Sequence, residues 1–264
     1  MNRRTLVWVL FATFVLFLVF SPHGNVKITD LTSTFQGFSA EHWLGTDNLG
    51  RDLFSLMVVG GQRTLVVILI ATSISFIAGT FLGMMGGYFG GAVKTATQFV
   101  ADFVTVIPSL VVALVLSALF GFSVAMAGVV FGIGNMGQYI NLADELTAQV
   151  KEHDYIDAEM SLGLSAPAIL VLHVFPNIAG QLLVYMGNNA SLVVLQYAGL
   201  AFIGLGVDTT NPDWGTLLYQ YRIYLLTYPW LVLVPMAAVC IMALLFHFAF
   251  DDGASKRREL TIYD

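Results

Sequence analysis

The stretch DYIDAEMSLGLSAPAILVLHVFP, residues 154–176, interrupts a chain that is otherwise a succession of apolar runs. Its first half is acidic, with Asp154, Asp157 and Glu159; Gly163 marks a turn, and Pro176 is expected to close a second short apolar helix. Upstream, Leu142, Leu146, Val150 and His153 follow a helical stripe, with Asp144, Glu145, Glu152 and Asp154 off it, so the preceding helix continues beyond the apolar zone. Gly163 can take a positive φ and end a short helix. Ser165 can cap the next one, with Pro167 tolerated in its first turn. The expected product is helix, sharp turn, helix, presenting Ala158, Ser161 and Gly163 to a soluble partner.

Composition sets the environment. The chain has 264 residues, of which 57% are hydrophobic and 11% charged, and a mean hydropathy of +0.79. A soluble domain carries about a quarter charged residues, so the fold class is an all-α integral membrane protein with a single membrane domain. The lone Cys240 excludes a disulfide within the chain and reads as a buried, inert thiol. The net charge of −6 says little in a membrane protein; where the positive charges fall says more, and nothing resembles a basic nucleic-acid surface.

About six spans follow. Residues 1–20 form the first, because the run Leu6–Phe20 behind Arg3 and Arg4 ends in Ser21-Pro22-His23-Gly24, with no small-x-small cleavage site. Residues 21–60 are an extracytoplasmic polar segment. Within it Asp47-Asn48 makes a tight turn between Gly45 and Gly50, Asp52 caps a helix, and Asp47 with Arg51 forms a local ion pair. The membrane domain occupies 61–250, and 251–264 is a tail.

Within that domain, Leu65–Met85 is the second span, with Gly79-x-x-x-Gly83 on one face for close helix approach, and Gly86 to Gly91 is read as a flexible turn. The third span is Ala96–Phe120, with Asp102 near one end and Pro108 inside. The glycine-rich fourth is Phe122–Ile140, the fifth Ile178–Ile203, and the sixth Trp230–Phe250. A polar turn at Gly204–Asp213 and an amphipathic stretch from Trp214 to Thr227 separate the last two. Lysine and arginine fall seven to four in favour of the side holding both termini and residues 142–176, which places these in the cytoplasm.

Chemistry is sparse. The histidines at 23, 42, 153, 173 and 247 never pair at metal-ligand spacing, and no Ser or Cys sits in a nucleophile-elbow pattern, so neither a catalytic nor a metal site is expected. Gly90-Gly91-Ala92-Val93-Lys94-Thr95 lacks the glycine that precedes lysine in a phosphate loop, so if transport here is powered by ATP, the ATPase must be a separate chain. Asp102 reads as a solvated interfacial carboxylate in preference to an ion site. The fifth span carries Gln181, Tyr185, Asn188 and Asn189 at offsets 0, 4, 7 and 8, one helical face, with Gln196 further along. Two readings stay open for these side chains: hydrogen bonds between helices, or the wall of a translocation path.

The focal stretch resembles the EAA loop of ABC-importer permeases, with the pattern E-A-A, three residues, G, nine residues, I-x-L-P. Asp157, Ala158 and Glu159 occupy the first three places, and Gly163 and Pro176 fall at the right spacing. Asp157 stands for Glu, Glu159 for the second Ala, and His173 and Phe175 for Ile and Leu. His42 to Asp52 resembles the LGTDxLGRD segment of the dipeptide/oligopeptide/nickel permeases. Phe202 to Gly206, Pro212-Asp213-Trp214-Gly215 and Asp251-Asp252-Gly253 are similar to that family's FLGLG, PxWG and GDGLRD motifs. Arginines common before the EAA loop are replaced by Tyr139-Ile140-Asn141-Leu142-Ala143.

The resemblance implies a "C" type permease with the type I importer fold, multi-pass in a prokaryotic inner (plasma) membrane. Its implied partners are a second related permease subunit, two cytoplasmic ATPase subunits that use ATP and Mg, and an extracytoplasmic substrate-binding protein; the chain itself binds no cofactor. It assigns ATPase coupling to Asp157, Ala158, Glu159, Ser161, Gly163 and Pro176. The expected cargo is di- or oligopeptide, with nickel or a metal chelate as the alternative. An ion-coupled secondary transporter working through Asp102 is the rival from another class.

Overall fold

The computed structural model describes residues 3–121, 123–204 and 210–251, the side chains of Arg3, Arg4 and Asp251 excepted. Phe122, Leu205, Gly206, Asp252, Gly253 and the basic residues 256–258, all used in the sequence reading, lie outside the described residues. Helices α1 (Arg3–Phe20), α2 (Leu53–Phe89), α3 (Gly91–Val106), α4 (Ser109–Phe120) and α5 (Val124–Lys151) precede a short α6 (Asp154–Ser161). Then come α7 (Ala166–Ile169), a π-helical turn (Leu170–Val174), α8 (Phe175–Phe202), α9 (Trp214–Tyr221) with a 3-10 turn (Arg222–Tyr224), and α10 (Trp230–Asp251).

Of the six expected spans, α2, the unbroken helix 166–202 and α10 are long and apolar enough to cross a membrane alone, and α3 with α4 makes a fourth as a pair bent by 68°. The apolar part of α1, Thr5–Phe20, is shorter, and α5 is not among the qualifying helices. The reason for α5 is its position. Packed by α2, α3, α4 and α8, it carries glycines, Asn135 and Asp144 where a lipid-facing helix needs apolar side chains.

The α2–α5 pair is the spine. A Cβ added at Gly128 would lie 2.8 Å from Ile70, at Gly132 2.9 Å from Ile74, at Gly79 2.5 Å from Tyr139, and at Gly83 2.4 Å from the Ile140 carbonyl. Contacts advance together along both chains, so the two helices run parallel. Lipid tails are as apolar as leucine, so backbone approach and dispersion, in place of hydrophobic burial, hold such a pair.

Two expectations change here. The second span starts at Leu53, inside the segment read as polar, where Asp52 caps it as expected: its carboxylate accepts from the Ser55 N–H at 2.8 Å. At the far end Gly86 to Gly91 is not a flexible turn. The helix runs on to Phe89 and breaks at Gly90, which takes φ +65; before that, Gly87 packs on α5, where an added Cβ would lie 2.4 Å from the Asp144 carbonyl.

The third span is likewise not one helix. Pro108 lacks an N–H and drives Ile107 to an extended conformation (φ −90, ψ 114), which separates α3 from α4. The bend is seated on α5, where Gly134 admits Ser109 and Gly137 admits Thr105.

Pro176 does not close a helix either. The ladder has already widened before it, since the Phe175 N–H reaches back to the Leu170 carbonyl. The proline therefore enters the first turn of α8 without ending it, and the Asn177 side chain donates to the His173 carbonyl at 2.6 Å. Cys240, read as buried, is exposed on the outward face of α10.

The bundle has two ends. One carries α6; contacts between Trp8 and Phe250 and between Phe11 and Phe246 bring the ends of α1 and α10 to the same side. The other carries residues 21–52 and α9, where the Trp214 ring fills the notch left by Gly60 and Gly61 and donates to the Met57 carbonyl at 2.8 Å.

Candidate functional site

The α6 end is built as an exposed element on a fixed base. Asp154 and Asp157 lie in the first turn of α6, where the helix dipole favours carboxylates. The Gly163 N–H bonds the Met160 carbonyl at 3.0 Å and the Leu164 N–H the Glu159 carbonyl at 3.2 Å, with Gly163 at φ +87. This is a Schellman ending, and it requires the left-handed residue that the sequence supplies. Ser165 holds the next N-cap position in an extended conformation, although its hydroxyl makes no cap bond.

Asp157, Ala158, Ser161, Gly163 and Pro176 are exposed and Glu159 is half-buried. Ile156 is the one buried residue of α6, and it belongs to a core with Tyr88, Leu146, Ile169, Val174 and Ile178. One apolar peg thus ties α6 to the ends of α2, α5 and α8.

Two of the departures from the family pattern face one another. Glu159 Oε1 on α6 lies 3.9 Å from His173 Nε2 on the π-helical turn. Beside them the Asn177 side chain donates to the Tyr155 hydroxyl at 3.1 Å. Beneath, Lys151 Nζ donates to the Tyr88 carbonyl at 2.7 Å and lies 5.3 Å above its ring, joining α5 to α2. Lys94 on α3 meets Asp144 on α5 at 2.8 Å. The carboxylate of Asp144, although off the apolar stripe in the sequence, is buried at 7% exposure. Sequence reasoning gave these contacts of Lys94, Lys151, Tyr155 and Asn177 no part in the site; only Lys94, one turn into a helix beside a glycine break, carried a local signal.

The face of α8 divides. Gln181 and Asn188 are exposed, Tyr185 and Gln196 half-buried, and Asn189 buried at 3%. Asn188 Oδ1 lies 2.7 Å from His247 Nδ1 of α10, Gln196 accepts from Asn135 of α5 at 3.2 Å, and Tyr185 packs edge-on against Tyr139 at 4.7 Å. Three of the five side chains thus meet two neighbouring helices, α10 and α5, while Gln181 lies on open surface and Asn189 is buried. Replacing Asn188 by leucine is expected to lower stability by about 1 kcal/mol through the lost His247 bond, a shift measurable in thermal unfolding of the detergent-solubilised protein. His247 packs against Phe248 and meets Asn188, and Asp102 is exposed on α3. Among the described residues no three His, Cys, Asp or Glu side chains converge as metal ligands.

At the α9 end, Asp213 caps α9 through the Thr216 N–H at 2.8 Å and accepts from the Tyr197 hydroxyl at 2.9 Å. Burial pushes its carboxyl above the ordinary carboxylate range, opposed by these bonds and by Arg63.

Comparison with known proteins adds relatives. Residues 79–256 match the family described as binding-protein-dependent transport system inner membrane component. A dipeptide transport system permease protein of Alkalihalophilus pseudofirmus is 30% identical over 95% of this chain and 84% of its own length. A probable D,D-dipeptide transport system permease protein of Escherichia coli is 32% identical over 93% and 83%. A glutathione transport system permease protein of Pectobacterium atrosepticum is 27% identical over 87% and 76%. Among solved structures, a methionine ABC transporter in inward facing conformations is similar with a TM-score of 0.53 and 15% identity, over 80% of this chain and 98% of that one. An amino acid ABC transporter matches with a TM-score of 0.50 and 20% identity, over 79% and 93%. At these identities the two structures bear on the fold alone.

Proposed function

The chain belongs to the binding-protein-dependent transport system inner membrane components, the permeases of ABC importers, and on that premise we propose that it conducts short peptides across the membrane as one of two permease subunits. A binding protein delivers the cargo at the α9 end, and two ATPase subunits dock at the α6 end, which is cytoplasmic together with both chain termini. The relatives named for dipeptide and glutathione transport support the substrate class. The chain supplies no catalytic group; ATP and Mg are used by the partner subunits.

One observation carries the reading. α6 is an exposed acidic helix held by a single buried side chain, Ile156, at the junction of the three longest helices. Force applied to Asp157, Ala158, Ser161 and Gly163 passes through Ile156 into α2, α5 and α8 without first unfolding a loop. ATP-driven closure of the ATPases moves this lever, and the spans alternate between openings to either side. Gln181 and Asn188 are exposed on α8 with Tyr185 half-buried beside them; their uncharged hydrogen-bonding groups are suited to peptide amides, and we assign them to the path.

Uptake of labelled di- and oligopeptides in cells with and without the chain tests the substrate; accumulation of neither in the presence of the chain would overturn it. Ala158→Trp tests the lever. Because Ala158 is exposed, the variant is expected at normal membrane levels, with uptake reduced at least about tenfold, the loss of ~1.4 kcal/mol of coupling free energy. Undiminished uptake would remove α6 from the mechanism.

A further inference from the structure

A cleft of about 470 Å³ opens at the α9 end, between the last turn of α1, the first turn of α2 and the segment 21–52. Neither the lever nor the α8 face uses it. Its walls are Phe17 and Phe20 of α1, Phe54 of α2 and Trp43 of the connecting segment, with Glu41 and Asp52 beside them. The rings form one continuous surface, Phe17 to Phe54 at 6.1 Å and Phe54 to Trp43 at 5.1 Å between centroids. They are poorly covered: Phe20 is 76% and Trp43 65% exposed.

Trp43 alone would pass as an ordinary aromatic anchor at a membrane interface. Carboxylates set among ring faces do not fit that reading, because hydrocarbon tails gain nothing from them. Asp52 is held in place, with Oδ2 bonded at 2.8 Å by both the backbone N–H and the hydroxyl of Ser55 and Oδ1 3.1 Å from His42 Nδ1. Oδ1 keeps a further lone pair for an incoming donor. Glu41 is exposed at the rim. Among the described residues no lysine or arginine lines the cleft. The aromatic rings and the two carboxylates favour a cation over an anion, so an ammonium enters while a phosphate attached to it stays outside, in the aqueous headgroup layer.

We propose that this cleft binds a primary ammonium group, and that its occupant is the ethanolamine headgroup of a membrane phospholipid. The source follows from the order of the chain: α1 is apolar up to Phe20 and the polar segment 21–52 begins directly after it, the kind of boundary at which headgroups meet aromatic side chains. Aromatic faces take the ammonium, Glu41 and Asp52 accept its protons, and the acyl chains remain in the bilayer alongside Phe17. A free peptide carries the same ammonium chemistry from the aqueous side.

The test uses the full chain, purified in the complex it forms in its membrane, exchanged into equimolar phosphatidylethanolamine and phosphatidylglycerol and weighed by native mass spectrometry. The complex is expected to retain phosphatidylethanolamine in preference. Trp43→Leu and Glu41→Gln, both at exposed positions that leave the fold intact, are each expected to reduce that preference about three- to fivefold. Equal retention of the two lipids, or a preference unchanged in both variants, would overturn the site. A millimolar dipeptide added to the mixture separates the sources: unchanged phosphatidylethanolamine supports the headgroup, and displacement by the peptide would overturn the lipid as occupant. Neither result depends on which cargo the transporter carries.

Discussion

Arg51→Met is expected to destabilise the protein by about 3–5 kcal/mol, the cost of leaving one member of a buried ion pair uncompensated. Arg51 Nη2 lies 2.7 Å and Nε 2.8 Å from Asp47 Oδ2, and the two side chains are 2% and 0% exposed. Asp47 also accepts from the Tyr221 hydroxyl at 2.9 Å and from the N–H groups of Leu49 and Arg51 at 2.8 and 2.9 Å, while Arg51 reaches Gln220 at 3.2 Å. The pair therefore closes its own turn and fastens segment 21–52 to α9, 174 positions away in the chain. Phe35 stacking on Tyr228 at 4.2 Å extends the same seam.

Thermal unfolding of the purified protein measures the loss, and its insensitivity to salt separates this pair from a surface bridge. Asp47→Asn keeps an acceptor for the turn and removes the charge. The double variant Arg51→Met with Asp47→Asn is therefore expected to be more stable than Arg51→Met alone. A double variant as unstable as the sum of the two singles would show that the charges do not interact.

Gly83→Ala is expected to cost about 1–3 kcal/mol, the range for overpacking a tight interior, and Gly83→Leu to abolish a monodisperse folded protein. An added Cβ would lie 2.4 Å from the Ile140 carbonyl, 2.7 Å from the Ala143 Cβ and 3.0 Å from the Asp144 N–H. Two of these three atoms are backbone of a straight helix, so no rotamer change relieves the clash, and α2 must move from α5. Gly199→Ala is the control, since nothing lies within 4 Å of its added Cβ and alanine gains helix propensity. Size-exclusion profiles and melting temperatures decide it: Gly83→Ala as stable as the parent would show that the α2–α5 approach is not the spine of the fold.

The parts of the site legible in the sequence are those decided over a few residues. Asp52 caps α2 and Gly163 ends α6 because each conformation depends on atoms within four or five positions. Periodicity put Gln181, Tyr185, Asn188 and Asn189 within one sector of α8, but that sector is wide enough to touch α10, α5 and open surface at once. Pro108 and Pro176 carry the same local instruction. One breaks its helix and the other does not, because a π-helical turn has already shifted the ladder ahead of Pro176, whereas Ile107 is left extended and the bend rests against glycines of α5.

From the amino-acid order alone come the membrane environment, the all-helical class, the apolar runs and the exposed acidic helix, since each follows from transfer energies and local backbone geometry. Only the tertiary structure decided that α2 and α5 run parallel as the spine, that Asp144 is buried against Lys94, that Glu159 faces His173, and that Asp47 and Arg51 lock onto Tyr221. These depend on which helices meet. Helices in lipid are selected by backbone approach and by pairing of groups that hydrocarbon cannot satisfy, and neither quantity is carried by any one segment of the chain.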